Sequence, residues 1–297
     1  MNSLRTQLAS GGVIAPGAHD ALTAVLARRA GFSTIYASGF AFEATQLGAP
    51  DMGIATMREL ADHTARLTAA TPGLNVIVDV DTGFGGPNSV HRTVREFVRA
   101  GAAAIQIEDQ ADPKRCPFLG GRSVVDQDAA VARVKLAVEA RGSDDLLIIA
   151  RSDADELGFD EVVTRCRRFA EEGADLVLPM VSNLDGIAFA DRSPEERMDV
   201  YRSLIEAIGH PLVTLDPPPG FTAQDLLNLG ASVVVLPLIS LQAAANATIS
   251  YFDSLRETGS SDAYKAANPP VLAANLDMME VLGLADYEDR LQALPSA

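Results

Sequence analysis

The sequence is poor in cysteine, in lysine and in long apolar runs, and each scarcity closes a class of explanation. Cys116 and Cys166 are the only thiols in 297 residues, which excludes a disulfide framework and leaves two free thiols in a reducing compartment. No apolar stretch approaches the roughly 20 residues that span a bilayer. The opening MNSLRTQLASGGV has no apolar core of signal-peptide length, so a cytoplasmic protein is expected. Lys and Arg nowhere cluster and the formal net charge is −16, which argues against nucleic acid or an anionic membrane as partner and for a small-molecule substrate. Lysine is confined to Lys114, Lys135 and Lys265, so no lysine stands on a strand where a Schiff-base enzyme would need one. A GxGxxG after the first strand, a GxSxG elbow, a Walker loop, CxxC pairs and HxH or HExxH histidine pairs are all absent.

What is present is an alternation. Short continuous apolar runs (VIAP, FSTIYAS, NVIVDVD, AAAIQIED, DLLIIARSD, ADLVLPM, PLVTLD and ASVVVLPL) alternate with segments of helical spacing. Helices are expected at about 20–30, with Asp20 as N-cap and Gly31 as stop, and at 55–70, 89–100, 126–141, 159–172, 194–208 and 223–229. The stretch 40–54 reads as a loop or distorted helix. Eight strands with interleaved helices predict a single α/β domain over 1–297, a (β/α)8 TIM barrel, with 240–297 as a C-terminal helical extension. A 297-residue chain that is 47% apolar can fill such a core.

In a barrel the strand ends meet at one mouth. Two neighbouring strand ends carry Asp79 and Asp81, then Glu108 and Asp109. Further candidates there are Ser38, Gly39, Asp51, Cys116, Arg151, Asp153, Thr214 and Asp216. Gathered acids repel unless a cation neutralises them, and an all-oxygen set favours Mg2+, with Mn2+ possible, over zinc. Taken singly, each acid could equally be a cap or loop residue. Arg151 follows the buried run LLIIA, so it should meet an anion, either a substrate carboxylate or a strand-end acid. Cys116 lies beside Lys114 and Arg115, and cations lower a thiol pKa, so it is a candidate acid/base group. Cys166 reads as a core residue. His63 and His91 fall on helices and are expected in solvent, while His19 could reach the mouth or be structural.

VDVDTGFGG, IEDQADPKRC and IIARSDA, in that order, resemble the isocitrate lyase/phosphoenolpyruvate mutase superfamily. The likeness extends to GAHDALTAVLARRAGFSTIYASGF, LGAPDMG and GASVVVLPLIS, and so covers nearly the whole chain, nearest the methylisocitrate lyase and 2-alkylmalate lyase-like branch. The resemblance implies a homotetramer with C-terminal helices exchanged between subunits, and Mg2+ held by Asp79, Asp81 and Glu108 with Asp51 nearby. It also implies an oxyanion site at the backbone of Ser38, Gly39 and Phe40, Arg151 on the substrate carboxylate, and Cys116 as the catalytic cysteine of the carbon–carbon lyases on a mobile loop.

Three departures fall on the substrate side. Lys114-Arg115-Cys116 is followed by Pro117-Phe118 where the lyases have glycine and histidine; Pro179-Met180 stands at a glutamate; and Thr214 stands at an asparagine. The implied function is a Mg-dependent lyase that cleaves a C–C bond beside an α-oxo or α-hydroxy carboxylate through an enolate. P–C bond chemistry, oxaloacetate-type hydrolysis or decarboxylation, and a silent carboxylate-binding barrel are the alternatives.

Overall fold

The computed structural model describes residues 3–269 and 275–293. Among these residues ten strands and thirteen α-helices run in the order α1 (Leu4–Ala9), β1 (Val13–Pro16), α2 (Ala21–Arg29), β2 (Thr34–Ala37), α3 (Gly39–Phe42), α4 (Met57–Ala70), β3 (Asn75–Asp79), α5 (Pro87–Arg99), β4 (Ala104–Glu108), α6 (Gln127–Arg141) and β5 (Leu147–Ser152). Then come α7 (Phe159–Glu171), β6 (Leu176–Pro179), β7 (Asn183–Leu184), β8 (Ile187–Ala188), α8 (Pro194–Ile208), β9 (Val213–Thr214), α9 (Ala223–Leu229), β10 (Val233–Leu236), α10 (Ile239–Thr258), α11 (Asp262–Ala267), α12 (Asn275–Val281) and α13 (Leu284–Gln292).

The sheet is the expected closed parallel barrel. β2 to β6 pair in sequence order, β1, β10 and β9 form a second parallel set, and the bridges Gly17–Tyr36 and Val177–Leu212 join the two. The closure is tight at Gly17, where an added Cβ would lie 2.1 Å from the Pro237 carbonyl oxygen, so only glycine fits. The seventh barrel strand is only Val213–Thr214, shorter than PLVTLD suggested. The β7–β8 hairpin was not legible, because two-residue strands carry no period.

Helix starts follow their caps. Asp20 accepts from Thr23 N at 2.7 Å, and Thr56/Glu59, Ser193/Glu196 and Thr222/Asp225 form capping boxes. The expected distorted helix in 40–54 is α3 running into a five-residue π-turn, Glu43–Leu47.

Alternation along the strands produces two cores. Outward residues such as Val76, Val78, Ile105 and Ile148 pack under the helices. Inward residues Ala15, Ile77, Ala104, Leu147, Ile149, Leu176 and Val233 fill the barrel, with Leu4 of α1 in the same cluster. Continuing that inward parity upward gives Asp79 after Ile77, Gln106 and Glu108 after Ala104, and Arg151 after Ile149. An apolar interior is thus topped by a polar layer.

His63 corrects the expectation of a solvated histidine. It is 5% exposed, edge-on to Phe42 at 5.1 Å, and burial lowers its pKa to about 4. It is neutral in the fold, whereas the unfolded chain binds a proton below about pH 6.5. Its contribution is therefore complete above that pH and is lost as pH falls towards 4, by up to about 3 kcal/mol. We expect urea titrations of His63→Leu to lack this slope when subtracted from the wild type; parallel pH profiles would contradict it. His91 is exposed as expected, and His19 is buried against Thr23, 3.2 Å away.

α10 spans 20 residues with none buried, and Ile249 and Phe252 are each 59% exposed. No helix among the described residues is long and apolar enough to cross a membrane.

Candidate active site

Strand register assembles the polar layer. Asp79 pairs with Gln106, and Glu108 with Arg151. Arg151 Nη1 therefore lies 3.1 Å from Glu108 Oε2 and 3.8 Å from Asp79 Oδ2, while Nη2 donates to Asp153 at 2.7 Å. Of the two partners open to Arg151, the strand-end acids are the ones it meets here, although it also lines the pocket above. Asp81 lies beyond β3 and turns inward through a left-handed backbone, φ 48°. Its Oδ1 is 2.7 Å from Lys114 Nζ, which also contacts Asp51. Gly39 closes against the same group, since an added Cβ would come 3.3 Å from Asp81 Oδ1.

The pocket, about 540 Å³ with its open mouth, is lined by Tyr36, Ser38, Asp51, Asp79, Gln106, Glu108, Lys114, Cys116 and Arg151 on its polar side, with Phe40 beside Ser38. Phe118, Leu178, Met180 and Leu215 supply an apolar side. Leu215, not Thr214, reaches it; Thr214 is buried with its hydroxyl unpartnered. Asp109 corrects the reading of four strand-end acids as one site. Adjacent residues on a strand face opposite ways, so Glu108 points in while Asp109 points out, accepting from Ser152 Oγ at 2.9 Å, Asp153 N at 2.8 Å and Arg165 Nη1 at 3.1 Å.

Four carboxylates, Asp51, Asp79, Asp81 and Glu108, thus face two cations, Lys114 and Arg151, out of water. Burial raises the pKa of Asp79, lifts that of Glu108 well above its ordinary value and takes that of Asp81 to about 7, against the pull of Arg151 and Lys114. Among the described residues no three His, Cys, Asp or Glu side chains stand as a ready ligand cluster. Lys114 and Arg151 are set between the acids. Donor chemistry nevertheless fits a hard divalent cation: the set is all oxygen, and Glu108 Oε1 is buried with no hydrogen-bond partner.

The thiol departs from expectation. Cys116 is buried, and burial pushes its pKa up to about 11; the Phe118 backbone amide opposes this, the Asp51 carboxylate adds to it, and Lys114 opposes it least. Lys114 is committed to Asp51 and Asp81. At neutral pH Cys116 is a protonated thiol, suited to giving a proton rather than to nucleophilic attack.

Several residues that hold the site were not singled out from sequence. Arg122 is buried, donates to the Pro117 carbonyl and pairs with Asp155, tying the Cys116 loop to the 3-10 turn after β5. Gln110 bonds Arg115 on both sides, its Oε1 accepting from N at 2.9 Å and its Nε2 donating to O at 3.0 Å. Tyr36 OH donates to Gln106 Oε1 at 2.8 Å, which leaves Gln106 Nε2 a buried donor without a partner in the pocket wall. Inward parity was the signal for Tyr36 and Gln106.

Glu43, 1% exposed, accepts from the backbone N–H of Met52 at 2.8 Å, Ile54 at 2.7 Å and Ala55 at 2.9 Å, and so holds the loop of Asp51. Glu43→Ala leaves these donors without their acceptor, and we expect a loss of about 3 kcal/mol in chemical denaturation. A change under about 0.5 kcal/mol would remove this role.

A family model described as phosphoenolpyruvate phosphomutase matches residues 4–255. The chain is 37% identical over 251 residues to isocitrate lyase of Haloferax volcanii, covering 82% of this chain and 72% of that one. It superposes on 2,3-dimethylmalate lyase, described as a PEP mutase/isocitrate lyase superfamily member, with TM-score 0.86 and 28% identity over 100% of this chain and 97% of that one. Phosphonopyruvate hydrolase in complex with oxalate and Mg++ superposes with TM-score 0.80 and 30% identity over 98% and 95% of the two chains.

Proposed function

We propose, from the premise that the chain belongs to the phosphoenolpyruvate phosphomutase family and to the wider PEP mutase/isocitrate lyase superfamily, that it is a Mg2+-dependent carbon–carbon lyase of an α-hydroxy dicarboxylate or tricarboxylate. The observation that carries this reading is a protonated, buried thiol, Cys116, in one pocket with the inward charged layer of Asp79, Glu108 and Arg151.

Asp79, Asp81 and Glu108, with Asp51 beside them, would hold the metal, which supplies Lewis-acid stabilisation to oxygen charge that develops in the reaction. Arg151 and the unpartnered Gln106 Nε2 orient the substrate carboxylate and hydroxyl, and the backbone at Ser38, Gly39 and Phe40 faces the developing oxyanion. Glu108, as the carboxylate that faces Arg151 at 3.1 Å, takes the hydroxyl proton. The C–C bond breaks, the hydroxyl oxygen becomes the carbonyl of an α-oxo acid, and the bonding pair stays on the neighbouring carbon as the enolate of its carboxylate. The Cys116 thiol gives its proton to that carbon. Water then returns the proton held by Glu108 to the thiolate, so the products are one α-oxo acid and one carboxylic acid. Lys114 neutralises Asp51 and Asp81, and the 112–124 loop, pinned by Arg122 and Gln110, keeps bulk water away.

The exposed apolar residues of α10 support exchange of the 240–297 helices between subunits of a tetramer, in a cytoplasmic enzyme; a monomer in light scattering would overturn that part.

The test is a panel of 2-methylisocitrate, 2-alkylmalates, oxaloacetate and phosphonopyruvate with Mg2+, scored for pyruvate, glyoxylate, acetate and phosphate. Cleavage of an α-hydroxy acid to its α-oxo acid is expected. Phosphate release, or turnover of oxaloacetate alone, would move the chain to the P–C or oxaloacetate chemistry of the same superfamily, and no turnover would overturn the lyase reading.

A further inference from the structure

Beside the catalytic pocket lies a second cavity, about 720 Å³ with its open mouth, and the two share Phe118, Met180 and Leu215 as a common wall. Its remaining apolar lining comes from Val181, Phe189, Tyr201 and Pro217. Phe118 is 68% exposed on the loop that also places Cys116, so a large apolar ring stands at the junction with little protein over it.

The charges of this chamber are poorly set for a second carboxylate. Arg197 is its cation, but Nε donates to the Arg192 carbonyl at 3.1 Å, Nη2 to the Ala190 carbonyl, and the guanidinium lies over the Phe189 ring at 5.6 Å. Asp216 is an acid on the same wall and offers an anion no favourable partner. Phe189 and Tyr201 form an edge-on pair with centroids 5.4 Å apart, a rigid hydrophobic floor.

We propose that this chamber is a subsite for an uncharged alkyl arm, longer than a methyl group, on the substrate carbon that becomes the enolate. It rests on the lyase reading for the chemistry, but not for the binding. The substrate class is thus a 2-hydroxy dicarboxylate with an aliphatic 3-substituent, and the carboxylic acid released is a branched or extended fatty acid.

The experiment uses the full-length protein with Mg2+ and 2-methyl-3-alkylmalates whose 3-alkyl arm runs from methyl to n-hexyl. Every member releases pyruvate, so one assay reads the whole series. Burying one methylene corresponds to about fourfold in kcat/KM, and we expect a rise of that order per carbon over the first members. Phe189→Glu should collapse the hexyl-to-methyl ratio at least tenfold. A second measurement needs no turnover: calorimetric titration with octanoate, which should bind wild type and bind Phe189→Glu at least tenfold more weakly. A flat or falling series overturns the chamber. If no member is cleaved, the lyase reading fails alone and octanoate decides: binding sensitive to Phe189 upholds the chamber, and absent or insensitive binding overturns it.

Discussion

Cys116→Ala is expected to lower kcat by about 10²–10⁴-fold, the usual worth of a positioned general acid, with KM nearly unchanged. Lys114 spends its charge on Asp51 and Asp81, so truncation removes the proton donor and its hydrogen bond to Asp51 while leaving those ion pairs in place. A thiol held near pH 11 also fixes the sign of the pH dependence. The active form is the protonated one, so the thiol's contribution is full through neutral pH and declines only as pH rises towards 11. Cys116→Ser keeps the size but is a much weaker acid, and should recover only a small part of the rate. Steady-state kinetics, with circular dichroism to verify folding, decide the matter. Activity within threefold of wild type in Cys116→Ala would put the proton donor elsewhere.

Substitution of Arg151 should separate two effects that the structure combines. Its guanidinium is buried among Glu108, Asp153 and Asp79, so Arg151→Ala leaves acids out of water without their counter-ion. Breaking a buried pair in this way costs about 3–5 kcal/mol, and we expect that loss in thermal or chemical denaturation. Arg151→Lys keeps one positive charge and most of the stability but cannot form the forked contacts to Glu108, Asp153 and a substrate carboxylate together. Its kcat/KM should fall by about 10²–10³-fold. A lysine variant with normal kinetics would mean that Arg151 serves the fold alone.

The strands and helices were legible because each level of the sequence agreed with the others: Asp20, Thr56, Ser193 and Thr222 start helices where the apolar runs end, and those runs are continuous because both faces of a barrel strand are buried. Asp79, Glu108 and Arg151 were legible as strand-end charges that converge. The assignment of Asp109 to the same site failed because strand position was used without strand parity, and parity alone separates it from Glu108. The pKa of Cys116 was misjudged for a deeper reason. Sequence proximity to Lys114 and Arg115 says nothing of desolvation or of Asp51, brought in from 65 residues earlier by a loop that Glu43 holds. His63 was misjudged similarly, since its helix face is covered by Phe42 of another element. Arg122, Gln110 and Glu43 act through backbone groups of loops, where no period exists to reveal them.

On the proposed mechanism, the buried carboxylates Asp79, Asp81 and Glu108 would form the divalent-cation site on which enolate formation depends. The most direct test follows release of the α-oxo acid from the best substrate of the panel in EDTA, then after adding back Mg2+ or Mn2+. EDTA should abolish turnover and Mg2+ should restore it, with no restoration in Asp81→Asn or Glu108→Gln. Turnover unchanged in EDTA would contradict it.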